Sequence, residues 1–178
     1  MLYKFKLKRK SFAALLLMMA SCAPSMNWRE YRFEGDELTF LMPCKAVEES
    51  KEVPIALEKQ VLTMAVCNVG DVNFTISRLA RQKNISDETL IALWQKASLF
   101  ALTGSDHVQE SDESTKKIKI QNKEVLAHGL TAREGIQAKW QWFQQGQWVY
   151  QLGIYSRKKQ EKNKVDQEVQ NMFFESIR

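Results

Sequence analysis

The chain is poor in the residues that usually do chemistry. Its 178 residues include only two histidines and three cysteines. His107 and His128 lack the serine and acid context of a nucleophilic triad, and no G-x-S-x-G occurs. With Cys44 and Cys67 they make a nominal two-Cys, two-His set. Zinc ligands in small sites usually come as close pairs, about two to five residues apart, and none of these do. No C-x-x-C is present, so a thioredoxin-type redox role has no support. The acidic group Asp106, Glu110, Asp112 and Glu113 lacks the D-x-D-x-D-G pattern of a calcium loop and reads as solvated. No catalytic residue, metal ligand or cofactor is therefore assigned, and no enzymatic activity is expected. The apolar run from Ser11 to Ala20 is about half the ~20 residues a spanning helix needs, which argues against a permanent transmembrane anchor. No internal repeat and no low-complexity block is visible.

What the chain does have is a patterned beginning. Lys4, Lys6, Lys8, Arg9 and Lys10 precede an apolar run from Phe12 to Met19, followed by Ala20-Ser21-Cys22-Ala23. A basic segment, a short apolar segment and small residues, in that order, make an export signal. Met19-Ala20-Ser21-Cys22 resembles a bacterial lipobox. The resemblance implies cleavage before Cys22, diacylglycerol on its thiol and an acyl group on the new amino terminus. Residues 1–21 would then be a cleaved signal peptide and 22–27 a short lipid-anchored tether. Met19 departs from the pattern, where leucine is commonest; Ala20 and Ser21 fit. Each buried methylene contributes ~0.8 kcal/mol, and at least two acyl chains are needed for stable anchoring. Ala23 is not aspartate, so similarity to enterobacterial sorting implies the outer membrane, with the domain facing the periplasm. The alternative is an ordinary secretory signal that leaves Cys22 as a free thiol.

Processing changes the charge argument. The whole chain carries 26 basic and 21 acidic side chains, a net +5. Five of the basic residues precede Cys22, which leaves 21 of each sign after it. The basic excess that would have suggested nucleic acid leaves with the signal, and no nucleic-acid partner is expected. The remainder is one domain's worth of chain, and 28–178 reads as a single domain.

Along that domain, Trp28 to Phe33 and Leu38 to Met42 read as short strands separated by the Glu34-Gly35-Asp36 turn. Val53 to Leu57 and Gln60 to Val69 read as two strands around a turn near Glu58-Lys59. Gly70-Asp71 turns the chain into Val72 to Leu79. There Val72, Phe74 and Ile76 alternate with Asn73, Thr75 and Ser77, the period of a half-buried antiparallel strand. Ser86 caps a helix to Thr103, with Leu90, Leu93, Trp94, Ala97, Phe100 and Ala101 as its apolar stripe and Gly104 as its stop. Ser105 to Lys117 reads as a polar loop. Strands follow over Lys116 to Gln121, Val125 to Arg133 and Ile136 to Phe143, and again after Gly146. Burial of one apolar face predicts that Trp142 pairs with Tyr150 and Trp140 with Leu152, through a loop of three or five residues. The basic tract Arg157 to Lys164 leads into a last helix striped by Val165, Val169, Met172 and Phe173, with Ile177 extending it. It either touches anionic headgroups or is a solvated helix start.

With Cys22 carrying lipid, Cys44 and Cys67 remain as an even pair in an oxidising compartment. A disulfide between them would close a loop of about 24 residues and contribute roughly 3 kcal/mol; two separate buried thiols are the alternative. Trp140, Trp142, Trp148 and Tyr150 form a dense aromatic group. They are either the sheet side of the core or the surface that meets a ligand or partner, with Trp142 and Trp148 nearest the hairpin tip.

The order strands, helix, strands, helix predicts an α+β fold, an antiparallel sheet with two packed helices. That order is similar to the PsbP-like and DcrB-like exported proteins, which mostly serve as assembly or accessory factors. The resemblance implies a non-enzymatic, membrane-anchored envelope lipoprotein that binds or supports another envelope component. The other expectation is a periplasmic ligand-binding module with an apolar pocket near the Trp140–Tyr150 hairpin.

Overall fold

Short hairpin turns lay out most of the molecule. The computed structural model describes residues 26–55, 58–104, 111–134, 136–157 and 165–178. The elements are β1 (Arg29–Tyr31), β2 (Phe40–Met42), β3 (Val47–Ile55), β4 (Glu58–Val69), β5 (Val72–Ala80), α1 (Asp87–Thr103), β6 (Ser111–Ile120), β7 (Lys123–Glu134), β8 (Ile136–Gln145), β9 (Trp148–Arg157) and α2 (Gln167–Phe174). Among the described residues β3 to β9 form one seven-stranded sheet in the order β3-β4-β5-β9-β8-β7-β6, antiparallel throughout. β1 and β2 make a separate two-stranded ladder. The fold is a sheet-dominated α+β fold.

The sheet is covered on both faces, and the alternation of side chains shows how. On β5, Phe74 and Ile76 point to one face, while Thr75, Ser77 and Leu79 point to the other; all five are buried. The first face is closed by β1, β2, α2 and the residues that follow α2. Phe33, Phe40, Met42, Phe173, Phe174 and Ile177 all pack into its cluster. The carboxyl-terminal end is held there by paired backbone bonds between Thr39 and Arg178, 3.0 Å each way. Among the described residues the second face is covered by α1, through Leu90, Ile91, Trp94 and Leu99.

Two-sided burial overturns several expectations that assumed one wet face. β5 is not half-buried but central. β8 and β9 are joined by two residues, Gly146 and Gln147, not three or five, so Trp142 pairs with Gln151 and Trp140 with Gly153. Gly146 has φ +58°, which suits the first central position of a II′ turn. In this register Trp140 and Trp142 face α1, whereas Tyr150, Leu152 and Ile154 face α2. Both apolar sets are buried, so nothing is lost by placing them on opposite sides. Gly153 is required opposite Trp140: a Cβ there would come within 2.7 Å of the Thr75 hydroxyl and 3.1 Å of the Trp140 ring.

Two further corrections concern polar stretches. Val47–Ile55 is a single nine-residue strand, although Ser50 to Glu52 is polar and all three are exposed; it is an edge strand, and edge strands tolerate charge. Its turn into β4 precedes Glu58, since Glu58 and Lys59 already pair with Ile55 and Pro54. Ser111 to Lys117 is part of strand β6 rather than a loop, paired from Ser111↔Ala132 to Ile120↔Lys123. The left-handed Gln121 and Asn122 at φ +49° and +66° form that hairpin's turn.

Candidate functional site

Helix α1 begins as its sequence demands. The Ser86 hydroxyl accepts the Thr89 N–H at 3.2 Å, and Asp87 and Glu88 occupy the first turn. Arg81 clamps Asp87 through two contacts of 2.7 Å, Nε to Oδ1 and Nη2 to Oδ2, and donates to the Gly146 carbonyl at 3.2 Å. The start of α1 is thus tied to the tip of the β8–β9 hairpin. Its end is closed by Gly104 at φ +73°, whose N–H reaches the Phe100 carbonyl at 2.8 Å.

Between these caps the helix does not bury its whole stripe. Leu90, Ile91 and Trp94 are buried, but Phe100 is 60 % exposed and Ala101 is exposed. The carboxyl-terminal half of α1 instead forms one wall of a half-open groove of about 640 Å³. The opposite wall is Val53, Ile55, Leu62 and Met64 of β3 and β4. Ser77, Gln151 and Tyr155 of β5 and β9 add polar groups to the lining, with Ser98 of α1 beside them. Gln151, 4 % exposed, donates from Nε2 to the Ser98 hydroxyl at 2.8 Å. The Tyr155 hydroxyl accepts the Trp140 indole N–H at 2.8 Å, and burial raises its pKa above the ordinary phenol value. Ser77 is fully buried, and its hydroxyl has no hydrogen-bond partner among the described residues. This apolar concavity with a few convergent polar groups has the volume of a small-molecule site, ~300–1,000 Å³. The clefts bordered by α2 and the chain after it hold about 200–280 Å³ each.

The aromatic group singled out from the sequence does not line this groove. Trp140, Trp142 and Tyr150 are core residues, at most 1 % exposed. Trp148 lies under the guanidinium of Arg78, 4.3 Å from its ring centre, and Arg78 also sits 4.6 Å from the Phe33 ring centre. Arg78 pairs with Asp36 at 3.2 Å, and the Tyr150 hydroxyl donates to the same carboxylate oxygen at 2.6 Å. Burial first, and that bond second, hold the Tyr150 phenol well above its ordinary pKa range, so it stays a donor. The cluster fastens the β1–β2 connection to the sheet. A pocket at the hairpin is thus replaced by a groove beside α1, reached from β9 only through Gln151 and Tyr155.

Cys44 and Cys67 are joined by a disulfide, with Cα atoms 5.7 Å apart. It links the segment after β2 to β4, on the face that α2 covers. His128 lies on β7 opposite Trp142 and is partly buried. No group of three or more His, Cys, Asp or Glu among the described residues is placed to hold a metal ion. Cys22 and the segment read as an export signal, His107, and Asp106 and Glu110 of the acidic group lie outside the described residues. So does most of the basic tract, 158–164. No helix among the described residues is long and apolar enough to cross a membrane.

The signal that could have located the groove was in the α1 stripe. Leu90 to Ala101 carries apolar residues over more of the helix circumference than one sheet contact can cover. The fold and the groove define an antiparallel α+β module with one incompletely covered sheet face. No protein-family model matches the chain, and no curated protein matches it.

Proposed function

We propose that this chain is a non-enzymatic bacterial envelope lipoprotein, tethered through Cys22 to the outer membrane and facing the periplasm, that binds an apolar ligand. The observation that carries the reading is the groove of about 640 Å³ between α1 and β3–β4, apolar along its walls and polar on one side. The start of the described chain leaves the groove clear. Met26 and Trp28, the first described residues to pack, join the α2-side cluster, on the opposite face of the sheet from the groove. Binding next to a membrane needs no reaction, and the lipid raises the local concentration of the module over the surface where apolar ligands reside.

Mass spectrometry of the protein extracted from its native membranes tests both halves. The expected denatured mass is the chain from Cys22 plus its acyl groups, with Cys44 and Cys67 oxidised. The expected native mass carries an additional small molecule, which Phe100→Arg removes. An unacylated chain overturns the tether, and an added native mass that is absent from the wild type, or that Phe100→Arg retains, overturns the groove.

A further inference from the structure

Two lysines stand at the groove. Lys51 is on β3, opposite Leu62, and Lys96 is on α1, four residues before Phe100. Both are exposed, and neither forms an ion pair with a described residue. No carboxylate is among the described residues that line the groove. The remaining polar groups are neutral, and one of them, the buried Ser77 hydroxyl, lacks a partner among the described residues.

Resting on the binding reading above, we propose that the groove takes an anionic amphiphile with a single acyl chain. The chain lies between Phe100 and Leu62, and the anionic head is held by Lys51 and Lys96. A compact polar anion leaves the apolar walls wet, so it gains little there. An uncharged chain fills the walls but leaves both ammonium groups without a counter-charge. Long lysine stems can lie along the apolar banks while their charges stay at the water boundary. Each partly exposed ion pair contributes a factor of a few, so two give the anionic ligand an advantage of about tenfold. Each methylene removed from the chain weakens binding about two- to fourfold, because the walls are half open. A carboxylate and a phosphate head offer the lysines the same charge.

Photolabelling of the full-length protein in a neutral maltoside detergent tests this. The probes are diazirine-bearing palmitate, the matching hexadecyl phosphate and the matching uncharged hexadecanol. Labelling of 53–64 and 96–102 by palmitate or the phosphate at about a tenth of the hexadecanol concentration supports the proposal, and the ratio between them ranks the heads. K51Q/K96Q should remove that preference and leave hexadecanol labelling unchanged; K51E/K96E should turn it against the anions. Thermal unfolding of each variant checks that these exposed substitutions leave the fold intact. Equal labelling by charged and uncharged probes overturns the anionic ligand while the groove reading stands. Labelling by none, or only outside these peptides, overturns both.

Discussion

The two faces of the central sheet are covered to different degrees. The α2 face is closed by three kinds of cover: the β1–β2 ladder, helix α2 and the paired carboxyl-terminal strap. It is also stapled by Cys44–Cys67 and fastened by Arg78, Asp36 and Tyr150. Among the described residues the other face has one helix, α1. α1 touches β3 as well as β7 and β8 but leaves part of the β3–β4 side open, and the groove forms there. A 17-residue helix is about 25 Å long, whereas seven strands at ~4.8 Å spacing spread over a greater width. One helix cannot roof that sheet, so the open side follows from the single helix that the described residues place there.

The sharpest test of this contrast pairs two phenylalanines. Phe74 is fully buried on the closed face and meets Phe173 edge-on at 5.3 Å; Phe100 is the exposed wall of the groove. In urea unfolding, Phe74→Ala is expected to cost about 3–5 kcal/mol, and Phe100→Ala about 0.5 kcal/mol or less. Comparable losses would break the comparison. Removal of the staple is next in size. The double substitution Cys44→Ala, Cys67→Ala should lower stability by roughly 3 kcal/mol, from the 23-residue separation it releases. Ligand labelling in the groove should survive at a temperature where the variant remains folded.

Smaller still is the Tyr150→Phe change, which removes the 2.6 Å bond to Asp36 but keeps the ring stacked on Phe143 at 5.2 Å. A loss of about 1.5 kcal/mol is expected, since the acceptor is charged. The unfolding midpoint should fall with little change in groove labelling. The smallest effect belongs to the α1 face and to pH. Glu88 has its pKa held below the ordinary value, first by its own backbone N–H and then by the Ser86 hydroxyl. Its folded pKa is depressed, so its contribution is present above the ordinary glutamate pKa and is lost as pH falls through the folded value. Glu88→Gln should flatten the acid side of the melting-temperature profile slightly; an unchanged profile would separate α1 capping from stability.

Local features were legible where one element decides them alone. Ser86, Asp87, Glu88 and Gly104 announce α1 whatever packs against it, and the helix runs Asp87–Thr103. Gly70-Asp71 forms its turn, with Val69 paired to Val72. Errors arose where a residue's side depends on what covers the sheet. Trp140, Trp142 and Tyr150 carry the same pattern whether one face is buried or both, and the assumed single face produced a shifted register. The last helix shows the same limit: Met172, expected inward, is 41 % exposed, while Phe174 is buried beside Phe173.

Taken alone, the sequence determined α1 and its caps, several turns, the alternation of the long strands and the even cysteine pair after Cys22. These follow from backbone preferences and short-range hydrogen bonds, which act within a few residues. The tertiary structure alone decided the pairing register of β8 and β9, the two-sided burial of β5, the choice of core over surface for Trp140, Trp142 and Tyr150, and the place of the groove. Each of these depends on how many elements cover each face of the sheet, a quantity set by contacts between residues far apart in the chain.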